Sequence, residues 1–201
     1  MNGNSGIAPR PIEARRLLLG EGKEEEIFLE ACLKHLGVSG VQIENYGGKS
    51  NLAPFLQALK RRSGFAQVEK LSIIRDADDD PVGAASSVDN AIAKAAFAAD
   101  LTIKRLIVPG SNQVGSLENL CLKSIAGQPI EACVEEYMDC AARATGHVHA
   151  TTTNKAKARI HAWLAAHPKP DLRLGLAAAG GLIDWTVPAF DELTAFVREL
   201  S

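Results

Sequence analysis

Val68-Glu69-Lys70-Leu71-Ser72-Ile73-Ile74-Arg75-Asp76-Ala77-Asp78-Asp79-Asp80 decides the fold. Leu71, Ile73 and Ile74 form an apolar run of strand length, and four aspartates follow within five residues, 76–80. A strand that is apolar on both faces suits a sheet covered on both sides. Charge arriving abruptly at its end marks the edge where open parallel sheets hold their ligands. The reading over 68–75 is therefore a buried strand delivering acids to a functional edge.

Working outward, the same strand-then-helix alternation repeats. Leu17, Leu18 and Leu19 predict a strand over 16–20, and Val41, Ile43 and Asn45 a weaker one over 41–46. Ile103 to Val108 gives a fourth over 103–108, stopped by Pro109-Gly110. Between them, Ile27, Phe28, Ala31, Cys32 and Leu36 recur at helical spacing over 24–36, starting in acids and ending at Gly37. Gly47-Gly48-Lys49-Ser50-Asn51 reads as a turn capping a helix with Leu52, Phe55, Leu56 and Leu59; Pro54 falls in its first turn, where proline is tolerated. Ser86 or Ser87 is expected to cap a helix carrying Val88, Ile92, Ala95, Ala96 and Ala99. The expected fold class is α/β: a mostly parallel four-stranded sheet with helices on both faces.

Beyond Ser116 the pattern becomes helical, with Leu117, Leu120, Cys121 and Ile125, then 130–142, 155–166 and 189–200. The polar, Thr-rich stretch 143–154 is expected to be a mobile loop. The domain reading is a disordered lead-in over 1–12, an α/β domain over 13–125, and a helical extension over 126–201 packed on it. The 201 residues suffice for one core without disulfide or metal staples. With 22 Lys+Arg against 24 Asp+Glu, the net charge of -2 excludes a strongly basic nucleic-acid coat but allows a local basic patch. No apolar run reaches the roughly 18 residues of a membrane span. The polar start over 1–10 is no secretory signal. Cys32, Cys121, Cys133 and Cys140 form no Cys-x-x-Cys pair and read as reduced buried thiols, so a cytoplasmic location is expected. His147 and His149 lack a nearby Cys or carboxylate, which disfavours zinc. Trp163 and Trp185 read as core.

Acids collect at the strand ends. The first strand runs into Glu21, the third into Asp76, Asp78, Asp79 and Asp80, and the fourth leads through a Gly-rich loop to Glu118. Gathered carboxylates stay ionised together only when a cation offsets them. Oxygen-only donors favour Mg²⁺ or Mn²⁺ over zinc. Asp76 and Asp78, two apart, face the same way in an extended segment, whereas Asp79 points away. Glu21, Asp76, Asp78, Asp80 and Glu118 are the expected metal ligands. Lys23 lies beside Glu21, and Lys49, Ser50 and the Gly48 amide at the turn after the second strand are candidate phosphate contacts. Lys155, Lys157 and Arg159 could track a phosphate backbone. No Walker A loop, Gly-x-Gly-x-x-Gly loop or Gly-x-Ser-x-Gly elbow occurs, which argues against a P-loop NTPase, a nicotinamide dehydrogenase and an α/β-hydrolase.

Glu21-Gly22-Lys23 after a first strand, with Asp76-Ala77-Asp78 after a third, resembles the Toprim domain of topoisomerases, bacterial primases, small RNA-maturation nucleases, recombination proteins and the OLD nucleases. The likeness covers 17–122. More narrowly, Gly47-Gly48-Lys49-Ser50-Asn51, Ile74-Arg75-Asp76-Ala77-Asp78, Leu117-Glu118-Asn119-Leu120 and Asp171-Leu172-Arg173-Leu174-Gly175 resemble blocks of a small stand-alone bacterial Toprim-related family of unknown function. The resemblance implies that Glu21 is the acid/base or a metal ligand, that Asp76 and Asp78 hold Mg²⁺, and that Glu118 completes a second metal position. Glu25 fills the slot of an acid two residues after the Lys. The chain departs from topoisomerases: Tyr46 and Tyr137 are its two tyrosines, and neither lies in an obvious topoisomerase context.

Three functions follow as expectations. The first is a Mg²⁺-dependent phosphodiester-processing protein, a Toprim-type nuclease acting on nucleic acid, with Glu21, Lys23, Asp76 and Asp78 as its catalytic set. The second is a non-catalytic module that binds metal and nucleotide, or a subunit lending its carboxylates to a protein partner. The third is a phosphotransfer enzyme with Asp76 as nucleophile. A homo-oligomer stays open.

Overall fold

The computed structural model describes residues 10–149, 151–169 and 172–201. Strands β1 (Arg16–Gly20), β2 (Val41–Asn45), β3 (Lys70–Asp76) and β4 (Thr102–Val108) form one sheet in the order β2-β1-β3-β4, every pair parallel. Side chains alternate across it. Leu17, Leu19, Leu71, Ile73 and Ile107 face one apolar cluster, built with helices α2 (Leu52–Leu59) and α3 (Pro81–Ala95). Leu18, Ile43, Ile74, Leu106 and Val108 face the other, built with α1 (Lys23–Leu36) and the C-terminal helices. The expected α/β class, with helices on both faces, is what the chain adopts.

Strand order also places the site. The β1–α1–β2 unit steps one way from β1, and β3–α3–β4 steps the other way from β3. Beside each other, β1 and β3 therefore form the topological switch point, where the crossover helices part and leave a crevice beyond the strand ends. Leu19 pairs with Ile73. Continuing that register sets Glu21 level with Arg75, next to Asp76.

Several boundaries differ from expectation, each for a local reason. Helix α3 starts earlier than Ser86, because Asp80 caps it: its Oδ1 accepts from the Gly83 N–H at 2.8 Å, and Pro81 occupies the first turn. The 143–154 loop is shorter. Helix α5 (Pro129–Thr145) runs on to a left-handed Gly146, and α6 (Thr152–Ala165) starts before the expected Lys155, with the Thr151 hydroxyl accepting from the Asn154 N–H. An unpredicted helix, α7 (Leu174–Ala179), packs along α1. The last helix, α8 (Asp191–Arg198), is preceded by the one-turn segment Pro188–Phe190. Residues 1–9 of the expected lead-in lie outside the described residues, but Ile12 is already buried under α2. Helix α4 (Leu117–Ser124) carries a capping box between Ser116 and Asn119.

The C-terminal segment shares its core with the sheet. Phe28 of α1 meets Trp185 edge-on at 4.9 Å between ring centroids, and Phe190 stacks beyond it at 5.2 Å from Trp185. Trp163 and Trp185 are buried, as expected. Cys32 and Cys121 are buried too, and burial pushes the Cys32 thiol up to about 12. Cys133 and Cys140 are exposed instead, because α5 buries little more than Val134.

Candidate functional site

Glu21, Glu25, Arg75 and Asp76 border one narrow cavity, closed below by Leu29 and Leu117. The acid closing β1 and the first aspartate after β3, 55 residues apart in sequence, thus share one crevice. Asp76 sits at the end of β3, and its Oδ1 accepts from the Leu117 N–H of α4 at 3.0 Å. Burial pushes this carboxyl well above the ordinary aspartate range, and the charges of Glu118, Glu25 and Glu21 push the same way. Glu21 is raised as well, first by burial and then by Asp78 and Glu25; Arg75 and the Lys49 N–H pull it back. The Tyr46 hydroxyl donates to the Ile74 carbonyl of β3 at 3.1 Å.

Asp78 adopts φ 52°, a left-handed conformation that Asp tolerates better than most residues. Its backbone exchanges hydrogen bonds of 2.7 and 2.6 Å with Gly115, tying the acidic loop to the loop before α4. Its carboxylate is paired with Lys49 at 2.8 Å. Asp79 is exposed, as expected. Asp80 is spent on capping α3, which accounts for it without a ligand. Glu118 accepts from the Ser116 hydroxyl at 2.7 Å and lies 3.9 Å from Lys157. Lys23 turns to Glu26 at 2.8 Å rather than into the crevice. The amides of Gly47 and Gly48 donate to the Glu21 carbonyl at 2.9 and 3.0 Å, so they orient Glu21 instead of offering a free anion cradle. Ser50 is exposed on the turn. Arg159 pairs with Glu135, away from the crevice.

Arg75 and the Leu117 N–H were not assigned from sequence, and Glu25 was placed there only as the acid two residues after the Lys, not among the ligands. Arg75 puts a cation among the acids, and its Nε and Nη1 are buried with no hydrogen-bond partner among the described residues. Its place next to Asp76, directly after the apolar pair Ile73 and Ile74, was the available signal. Glu25 reaches the crevice from the first turn of α1, one turn after Glu21; a Cβ on Gly22 would come within 2.9 Å of its Oε2. The Leu117 N–H belongs to a helix start, where amides point outward unpaired, but nothing in sequence says that Asp76 will meet it.

Among the described residues, no three His, Cys, Asp or Glu side chains converge closely enough to hold a metal ion ready-made. The donor set nonetheless fits a hard cation. The charges of Glu25, Asp78 and Glu118 help to raise the carboxyls of Glu21 and Asp76, and the five carboxylates outnumber Arg75, Lys49 and Lys157. Mg²⁺ keeps several waters and takes one or two carboxylates directly, so it does not need three converging ligands. No helix among the described residues is long and apolar enough to cross a membrane.

Comparison with solved structures returns the C-terminal region of the Burkholderia pseudomallei OLD protein, 13% identical over 94% of this chain and 100% of that one, with TM-score 0.49. It also returns the C-terminal region of the Xanthomonas campestris pv. campestris OLD protein, 14% identical over 92% and 95%, with TM-score 0.47. No curated protein matches. The crevice acids, the turn at Lys49 and the C-terminal helices all fall within residues 15–201, the stretch that matches a family described as "Protein of unknown function (DUF3226)", and to that family the chain belongs.

Proposed function

We propose that this protein is a Mg²⁺-dependent phosphodiester-processing enzyme that cleaves nucleic acid. The observation that carries this reading is the shared crevice of Glu21, Glu25 and Asp76 at the β1/β3 switch point, where mutual repulsion leaves the acids short of a cation. The Toprim-like spacing of Glu21, Asp76 and Asp78 supports it. Asp76, Glu21 and Glu118 are the residues to hold Mg²⁺, and Asp78 joins them once Lys49 lets go of it. When bound, the ion supplies Lewis-acid stabilisation of charge building on a phosphate. Glu21, its carboxyl raised by burial and by Asp78 and Glu25, is suited to take and return a proton. Lys49, released from Asp78, offsets negative charge on the phosphate.

The test uses the purified full chain with Mg²⁺ or Mn²⁺ on single- and double-stranded DNA and RNA. Cleavage is expected, and Asp76→Asn or Glu21→Gln must each remove it; activity that survives both belongs to something else. One observation favours a second reading. Asp78 is already neutralised by Lys49, as it would be in a module that binds nucleotide without turnover. Micromolar nucleotide binding with no product under any of those metals would select it.

A further inference from the structure

We infer that the Lys49–Asp78 ion pair is a latch that couples two ligands of the crevice, so that a divalent cation and a phosphate-bearing ligand each tighten the other's binding. The inference rests on the function proposed above, whose metal and phosphate contacts it links. Lys49 Nζ lies 2.8 Å from Asp78 Oδ2, and the two residues stand on turns 29 positions apart in sequence, one after β2 and one after β3. Both backbones are anchored. Asp78 exchanges its two hydrogen bonds with Gly115, and the turn of Gly47 and Gly48 before Lys49 is tied to the Glu21 carbonyl. The pair is therefore a meeting of two fixed turns rather than of two loose side chains. The Lys49 side chain is nonetheless 59% exposed, so it is free to swing outward. Arg75, whose buried Nε and Nη1 have no hydrogen-bond partner among the described residues, is close enough for its charge to repel Lys49.

The latch occupies one group needed by each ligand. A divalent ion on the Asp78 carboxylate meets the Lys49 ammonium as a like charge, and a phosphate on Lys49 meets the Asp78 carboxylate in the same way. Whichever ligand arrives first must loosen the pair. The second then finds its partner already free. This is positive coupling, and it is equal in both directions. An ion pair this exposed limits the coupling to about two- to sixfold. Lys104 and Glu199, 2.7 Å apart and about as exposed, offer the same charges near the start of β4, away from the crevice, and provide the control.

Isothermal titration of the purified full chain with Mn²⁺, alone and in saturating thymidine 5′-monophosphate, tests the inference. Lys49→Met keeps the backbone N–H and removes the ammonium. Without nucleotide it is expected to bind Mn²⁺ about two- to sixfold more tightly than wild type, with an unchanged circular dichroism spectrum. Lys49→Arg, which can still pair with Asp78, should return to the wild-type affinity, and Lys104→Met should leave that affinity unchanged. The nucleotide should tighten Mn²⁺ binding more in wild type than in Lys49→Met, by the same factor that separates their metal affinities. Contact between ion and phosphate acts in both proteins, so it drops out of that ratio. A wild-type chain that binds no Mn²⁺ overturns the proposed function and this inference with it. Mn²⁺ bound equally by wild type and Lys49→Met overturns the inference alone. Tighter binding in Lys49→Met with no difference in the effect of the nucleotide overturns it too, because Lys49 then only repels the ion.

Discussion

At the scale of the residue, Asp76 is set against stability. Burial and three neighbouring carboxylates raise its carboxyl above the ordinary 3.8, and Glu21 is raised above 4.5. The folded protein therefore binds protons that the unfolded chain has released. Stability from these groups is complete below the unfolded values and is lost as pH rises through the raised folded ones. Each tenfold gain in proton affinity on folding corresponds to about 1.4 kcal/mol. In EDTA, urea midpoints should fall as pH rises above the ordinary carboxylate range, and Mg²⁺ should flatten that slope. A slope identical in wild type and Asp76→Asn would refute the repulsion argument. Asp76→Asn keeps an oxygen for the Leu117 N–H while removing the charge. It is expected to raise metal-free stability by roughly 1–2 kcal/mol, visible as a higher melting temperature, while removing cleavage. Activity gained at the expense of stability is common at functional sites.

At the scale of the element, Asp80 separates capping from ligation. Its carboxylate belongs to the start of α3, so Asp80→Ala should cost about 1 kcal/mol of stability. Metal affinity and any cleavage should stay within twofold of wild type; isothermal titration with Mn²⁺ and a urea melt decide both. A large loss of metal affinity would restore Asp80 to the site. The same element shows how far the sequence was legible. Its apolar spacing was plain, but Ser86 or Ser87 was read as the starting residue and Asp80 as a metal ligand, because an aspartate run looks alike whether it caps, binds or is solvated. Helix α7 escaped notice because Leu174–Ala179 is too short to show a period, and it is held by partners distant in sequence. Glu24 accepts from the Gly175 N–H at 3.2 Å and pairs with Arg173 at 2.9 Å.

At the scale of the whole molecule, the C-terminal helices and one face of the sheet share a core. Trp185 lies between Phe28 and Phe190 at its centre. Trp185→Ala should cost about 3–5 kcal/mol and lower the midpoint of a single cooperative transition, read by far-ultraviolet circular dichroism. Two separated transitions would mean that the C-terminal helices fold as a unit of their own. The C-terminus also reaches the opposite end of the sheet, where Lys70 donates to the Glu199 carbonyl at 2.7 Å.

By itself, the sequence determined the α/β class, the four strands and the identity of the acids at their ends, because buried parallel strands and amphipathic helices write their burial into local hydrophobic period. Only the tertiary structure decided which acids meet: Glu25 and Asp76 share a crevice, Asp80 turns to its own helix, and Asp78 is held by Lys49. Asp80 caps through a contact three residues away, but the meetings of Glu25 with Asp76 and of Asp78 with Lys49 depend on strand order and on contacts between residues tens of positions apart. Nothing in the local pattern of either partner encodes those two meetings.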